Sequence, residues 1–235
     1  MAMATGHILK SFDEDLAELR ALVAQMGGLA EEAIDGAITA LANRDTEAAA
    51  AIVKADRALD RLEAELERQV VRLIALRAPL ADDLREILAA LKIAGVIERI
   101  GDYAKNIAKR VPLLQESRGI EPISILPAMA RATAEMVHDA LDAFAARDPN
   151  AALKVCAQDR VVDDFYNSLF RALLTYMMEN PHTISASTHL LFVAKNLERI
   201  GDHATNIAEM VHFAATGEQV AERGRGVDTL APVVA

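Results

Sequence analysis

The sequence predicts an all-α fold of two tandem, pseudo-symmetric three-helix bundles, and three observations carry that prediction. The first is an internal duplication. Ile97 to Ala108 reads IERIGDYAKNIA and Leu197 to Ala208 reads LERIGDHATNIA, a twelve-residue match at a spacing of 100 residues that lies far beyond chance. The second is composition: Ala and Leu dominate, aromatic residues make up 4% and Trp is absent, a mixture that favours helix over sheet. The third is punctuation. Pro and Gly are few and clustered, and the stretches between them are long and apolar-periodic.

Taken in order, a first helix is expected from about Asp13 to Ala42, closing at Asn43-Arg44-Asp45. A second runs from there to about Arg77 and stops before Pro79. The third starts after Asp82-Asp83, whose carboxylates suit a helix N-terminus, and continues to about Gln115. Gly119, Pro122 and Pro127 then mark a boundary, which places a first bundle over residues 1–117 and a second over 118–216. The layout recurs in the second half. Ala145-Ala146-Arg147-Asp148 answers Ala42-Asn43-Arg44-Asp45, and Asp159, Arg160 and Asp163 answer Asp56, Arg57 and Asp60, both at a spacing of 103. Pro181 answers Pro79, after which the third helix returns at a spacing of 100, so about three residues are missing from a loop. Short connections make neighbouring helices antiparallel. A single long six-helix coiled coil is the competing architecture. From Gly217 to residue 235 the periodicity is lost, and a mobile tail is expected.

With 52% hydrophobic and 26% charged residues over 235 positions, the chain is able to bury a sizeable core. Its net charge of −10 argues against a nucleic-acid binder and suits cations or basic protein surfaces. Cys156 is the only cysteine, which excludes an intrachain disulfide and a Cys-based zinc site and points to a reducing, cytoplasmic setting. No stretch approaches the ~18 to 20 apolar residues of a membrane span, and the opening MAMATGHILKSF lacks the regions of a signal peptide. Membrane association is therefore expected only peripherally, through a partner.

On a helical wheel of about 100° per residue, Ile93, Ile97, Ile100, Ala104, Ile107 and Val111 form one core seam, as do Val193, Leu197, Ile200, Ala204, Ile207 and Val211. Glu98, Asp102 and Asn106 lie roughly opposite, and so do Glu198, Asp202 and Asn206. A third stripe of small residues, Ala94, Gly101 and Ala108, matched by Ala194, Gly201 and Ala208, leaves room for a neighbouring helix to come close. If that neighbour is the second helix, whose seam passes through Ile52, Leu59, Leu62, Leu66 and Val70, then Asp56 and Asp60 meet Glu98 and Asp102. Val155, Val162, Phe165, Leu169 and Leu173 likewise bring Asp159 and Asp163 to Glu198 and Asp202.

Carboxylates one turn apart repel, so such a ridge needs counter-charge. Two sources are open. Arg57, Arg61, Arg99, Arg160 and Arg199 can neutralise an ordinary solvated face through salt bridges. Alternatively, hard cations bind, since oxygen-only donors suit magnesium, calcium, manganese or iron. A metal-dependent helical-bundle oxidoreductase is a sharper alternative, but the inward-facing Glu-xx-His pairs of di-iron bundles are missing: Gly101 and Gly201 stand where the His would be. A metal-free helical scaffold is the plainest reading. His182, His189 and His212 form no ligand spacing, and neither a phosphate loop nor a nucleophile elbow occurs.

At these residues the chain closely resembles the PhoU family, the accessory proteins of bacterial phosphate uptake. The resemblance covers about His7 to Thr216 and is carried by both Glu-Arg-Ile-Gly-Asp motifs, the Asp-Arg-xx-Asp partners and the run from His189 to Ala208. It implies two similar three-helix bundles, a homodimer, and a non-enzymatic, cytoplasmic negative regulator of phosphate uptake and of the phosphate-starvation response. Such a regulator relays the state of the phosphate ABC transporter, through its ATPase, to a membrane sensor histidine kinase. It also implies divalent or trivalent metal ions (iron, manganese, magnesium or zinc) on the bundle surface. Carried onto this sequence, the ligands are Asp56, Asp60, Glu98, Asp102, Asp159, Asp163, Glu198 and Asp202, with Asn106 and Asn206 as auxiliaries. The two copies differ: Tyr103 and Lys105 stand where the second has His203 and Thr205, and the Lys105 charge is expected to weaken the first site.

Overall fold

The computed structural model describes residues 2–115 and 120–220, and these contain seven α-helices and no strand. Helix α1 (Ala2–Asn43), α2 (Thr46–Ala55), α3 (Arg57–Arg77) and α4 (Ala81–Ala108) form the first bundle, with α2 and α3 end to end. Helices α5 (Leu126–Ala146), α6 (Pro149–Glu179) and α7 (Ile184–Thr216) form the second. Part of the expected boundary, residues 116–119, and most of the expected tail, from residue 221, lie outside the described residues.

The duplicated corners have the same backbone geometry, which follows from their sequence. Arg44 (φ 57°) and Arg147 (φ 52°) both take the left-handed conformation that ends a helix, and the Asp45 and Asp148 N–H groups donate back to the Ala40 and Ala143 carbonyls. Each Asp then caps the next helix: Asp45 accepts from the Ala48 N–H at 2.9 Å, and Asp148 from those of Asn150 and Ala151 at 2.8 and 3.1 Å. Pro149 and Pro127 occupy the first turns of α6 and α5, where a missing N–H costs nothing.

Three boundaries differ from the sequence expectation. Helix α1 starts at Ala2 rather than near Asp13, since half of MAMATGHILKSF is Ala, Met, Leu or Lys and no proline interrupts it. Helix α4 stops at Ala108, and the chain continues through a 3-10 turn at Pro112–Leu114, because Pro112 cannot donate to the helical ladder. The expected second helix is broken at Asp56. There the Leu59 N–H donates to the Asp56 carbonyl at 2.9 Å, a tight three-residue step that replaces one turn of α-helical bonding.

The apolar seams read from the sequence are buried. Ile93, Ile97, Ile100, Ala104 and Ile107 have no exposed surface, nor do Val193, Leu197, Ile200, Ala204 and Ile207, and the two bundles share one contiguous core. They join through α1 against α5 and α4 against α7. Helices α4 and α7 run antiparallel, as shown by the pairing of Tyr103 with His203, Arg110 with His189, and Arg85 with the Ala214 carbonyl. Tyr103 and His203 occupy equivalent positions of the duplication, so their ring contact, with centroids 5.3 Å apart, marks the pseudo-twofold axis. Off the axis, buried Glu86 of α4 pairs with Arg20 of α1 and with Arg147 at the end of α5, tying both bundles to one carboxylate.

Glycines make two of these helix approaches possible. A Cβ at Gly27 of α1 would collide with Leu141 of α5, and one at Gly101 of α4 with Leu59 of α3. Nothing lies within 4 Å of a Cβ at Gly28. Gly101→Val is therefore expected to destabilise the fold by about 1–3 kcal/mol through overpacking, whereas Gly28→Ala should stabilise it by up to about 1 kcal/mol through helix propensity. Urea denaturation of both variants against the parent chain checks this pair.

Candidate functional site

The acidic residues of each half lie in a shallow groove where the second segment of its bundle crosses the third. The small-residue stripe faces the crossing in both halves. Gly101 lets Leu59 and Asp56 lie against the backbone of α4, while at Gly201 of α7 a Cβ would meet Val162 of α6 at ordinary contact distance, so there the approach is close but not set by the glycine. In the first half Asp56, Glu98 and Asp102 are half-buried in the groove, while Asp60 and Asn106 are exposed on its rim. In the second half Asp159, Asp163, Glu198 and Asn206 are half-buried, and Asp202 keeps an exposed edge. Among the described residues, no three His, Cys, Asp or Glu side chains converge as a ready-made metal centre. The carboxylates share a groove rather than a point.

The two grooves differ in how their charge is balanced. In the first, the Lys105 ammonium reaches both helices, donating to Asp56 Oδ2 and to Asp102 Oδ1 at 2.5 Å each. Burial pulls the Lys105 ammonium toward the neutral form, but the hydrogen bonds to Asp102 and Asp56, with their charges, outweigh it and raise its pKa above the ordinary value. Asp56 stands at the N-cap of α3 yet makes no capping hydrogen bond, because its carboxylate turns to Lys105. Glu98 lies farther along the ridge, and its pKa is raised by burial and by the charges of Asp102, Glu63, Asp60 and Asp56.

In the second groove Thr205 occupies the position of Lys105. Its hydroxyl is buried, with the residue 6% exposed, and has no hydrogen-bond partner. The lysine of this half is Lys195, at the rim, where its ammonium pairs with the Glu198 carboxylate at 2.5 Å and lies over the Tyr166 ring at 5.2 Å from the centroid. Asp202 is pushed up to about 6, first by the desolvation of its groove-facing carboxyl and then by Glu198, Asp159 and Asp163, with Lys195 opposing. Asp163 is raised for the same reasons, burial first and then Asp159 and Glu198.

The sequence reading missed three participants, Glu63, Tyr166 and Lys195. Glu63 of α3 extends the first ridge, its pKa raised by burial, Glu67 and Asp60, and its carboxylate lies 3.2 Å from where a Cβ would stand on Gly95. Glu63 and Gly95 are the counterparts of Tyr166 and Lys195 at the two repeat spacings. The duplication has thus exchanged an acid facing a glycine for an aromatic ring facing a lysine. Extending the 103- and 100-residue offsets to every position of the helices would have found the exchange. Between the grooves, His203 of the axial contact has its pKa lowered by burial and by Arg99 and Arg199, and its Nδ1 lies 3.3 Å from the Asn206 amide. Asn206 is thereby turned toward the axis rather than left as a free ridge donor.

The raised Asp202 pKa has a definite sign in stability. Its carboxyl binds a proton more tightly folded than unfolded, so the fold loses stability as pH rises between about 4 and 6 and is weaker above that window. In chelator-treated protein, Asp202→Asn should raise Tm at pH 7 by about 2–4 °C, corresponding to at most about 1 kcal/mol once solvent screening is allowed for. The difference from the parent chain should shrink toward zero near pH 4. Thermal melts at several pH values read this out.

The PhoU domain family model matches this chain twice, over residues 23–111 and 126–211. The phosphate-specific transport system accessory protein PhoU homolog of Zymomonas mobilis is 59% identical over 98% of this chain and 97% of its own length. The PhoU accessory protein of Escherichia coli K12 is 37% identical over 90% of this chain and 88% of its own. Among solved structures, the PhoU crystal structure from Pseudomonas aeruginosa superposes with a TM-score of 0.84 at 36% identity, covering 88% of this chain and all of that one. The phosphate transport system regulatory protein PhoU from Streptococcus pneumoniae gives 0.84 at 31% identity, over 90% of this chain and all of its own. Both copies of the duplicated helical unit are PhoU domains, and the chain belongs to the PhoU family.

Proposed function

We propose that this protein is a non-enzymatic regulator of phosphate uptake that acts in the cytoplasm as an adaptor between the ATPase of a phosphate ABC transporter and a sensor histidine kinase. In that role it keeps starvation signalling off when phosphate is plentiful. The observation that carries the reading is the near full-length identity to phosphate-specific transport accessory proteins, 59% over 98% of the chain for the Zymomonas mobilis protein. The physical character of the chain supports it. Among the described residues no helix is long and apolar enough to cross a membrane, so contact with a transporter or a membrane kinase runs through protein surfaces. The surface offers long helical faces and a net charge of −10, suited to basic docking partners. A homodimer is part of the same reading.

The repeated carboxylates enter this reading as cation ligands. Asp159, Asp163, Glu198 and Asp202 would hold a hard metal ion in the second groove, and Asp56, Asp60, Glu98 and Asp102 carry the same donor chemistry in the first, with Asn106 and Asn206 at their edges. A bound cation supplies fixed positive charge that relieves carboxylate repulsion. The residues lie on both sides of the α3–α4 and α6–α7 crossings, so cation binding would set the spacing of helices whose outer faces dock partners.

Deleting the gene should switch starvation signalling on in phosphate-rich medium, with a reporter of the response as readout, and the full-length chain should restore repression. Unchanged reporter output in the deletion strain contradicts the adaptor reading.

A further inference from the structure

We infer that the groove between α4 and α7, along the pseudo-twofold axis, is a docking site for an acidic helical segment of a partner protein, held by Lys92, Arg99, Arg110 and Arg199. The inference rests on the adaptor reading, for which it names the chemistry of one partner, and it involves no metal.

The placement of charge carries it. Lys92 and Arg99 share one line of α4 within about 20°, and Phe192 and Arg199 take the equivalent line of α7. Arg110, in the turn after α4, joins the same groove: its guanidinium donates to His189 Nδ1 at 2.9 Å and lies 4.3 Å from the centre of the Phe192 ring. Arg199 lies over the Tyr103 ring, 5.8 Å from its centroid, and Arg99 and Arg199 both act on the neighbouring His203. No Asp or Glu of either helix comes within about 60° of that line. The exterior as a whole, at net charge −10, suits basic partners, and this strip reverses the sign.

These cations are also uncommitted. Arg99 and Arg199 were expected to neutralise the acidic ridges, yet among the described residues none of the four forms a salt bridge. Glu63 feels Arg99 only as the smallest of four influences on its carboxyl. Lys92, Arg99 and Arg199 are exposed, and Phe192 keeps 49% of its surface open beside them. Arginines next to an accessible ring are the pairing that anchors protein interfaces.

Shape selects the occupant. The strip runs about 27 Å from Lys92 to Arg110, the length of about 18 helical residues, so its cations match a row of carboxylates rather than one small anion. Acidic rows flank it on both sides, Glu98 with Asp102 and Glu198 with Asp202. They repel a broad anionic surface, such as a membrane or a nucleic-acid duplex, and admit a single slender segment. An amphipathic helix with carboxylates along its length and an apolar residue on Phe192 satisfies both the charge and the exposed ring.

Fluorescence anisotropy with a fluorescein-labelled helical peptide of about 18 residues, rich in glutamate with leucine once per turn, reads binding by the full-length chain. The parent should bind it, and binding should weaken as salt rises from about 0.05 to about 0.5 M. Arg99→Glu plus Arg199→Glu should weaken it about tenfold or more, whereas Arg68→Glu plus Arg171→Glu, the same charge change at exposed positions of α3 and α6, should stay within about twofold of the parent. Arg99→Gln plus Arg199→Gln, a milder second variant, should show a smaller loss in the same direction, and circular dichroism verifies folding of each. No binding by the parent at low salt, or equal losses in the two charge-reversed pairs, overturns the inference. Retention of the parent on phosphatidylserine vesicles or on a DNA duplex, with the peptide unbound, overturns it as well. The adaptor reading falls by a different result, unchanged reporter output on gene deletion, so the two failures are told apart.

Discussion

The close crossing of α3 on α4 and of α6 on α7 is the constraint on which the rest of the structure depends. At Gly101 the missing Cβ leaves room for the Leu59 side chain of α3, whereas at Gly201 a Cβ would meet Val162 of α6 at ordinary contact distance, so the second crossing is close without depending on its glycine. That approach buries the apolar seams, but it also brings rows of carboxylates from both helices into one groove. Like charges in a partly desolvated groove cost stability, and the raised pKa values of Glu98, Asp163 and Asp202 record that cost. The fold therefore requires positive charge at both crossings. The two halves meet the requirement differently, the first with Lys105 inside the groove and the second with Lys195 at its rim.

Much of this was legible in the sequence because it rests on local, periodic rules. The twelve-residue repeat gave the pseudo-symmetry, and the seams through Ile97 and Leu197 are buried as the 3.6-residue period required. The Arg44-Asp45 and Arg147-Asp148 corners share both a left-handed residue and a capping aspartate. The small-residue stripe correctly named the second segment as the neighbour of the third helix. What escaped was set by contacts between elements. The break at Asp56 follows no helix-breaking residue and becomes intelligible once its carboxylate is seen to serve Lys105 instead of its own helix. The contact of Tyr103 with His203 needs the two bundles docked, since it lies on the axis relating them. Lys105 was expected to weaken a site from beside it, and it proves to stand between the carboxylates.

The pseudo-symmetry is therefore a frame on which the halves have diverged. The core, the corners and the small-residue stripe are kept because packing demands them. The groove residues have changed in matched pairs: Glu63 and Gly95 against Tyr166 and Lys195, and Lys105 against Thr205. The first crossing is closed by its own side chains, Lys105 bridging Asp56 and Asp102, whereas at the second Lys195 stays at the rim with Glu198. Helix α4 packs on α7 across the axis, so the two crossings lie on neighbouring helices.

The central claim is that Lys105 ties Asp56 across the first crossing while Asp159 and Asp202 repel across the second, and a pair of double-mutant cycles in chelator-treated protein tests it most directly. Asp56→Asn with Lys105→Gln should show a favourable coupling of about 1 kcal/mol, and Asp159→Asn with Asp202→Asn an unfavourable one of a few tenths of a kcal/mol or more. Couplings of the same sign, or both indistinguishable from zero, would contradict the account.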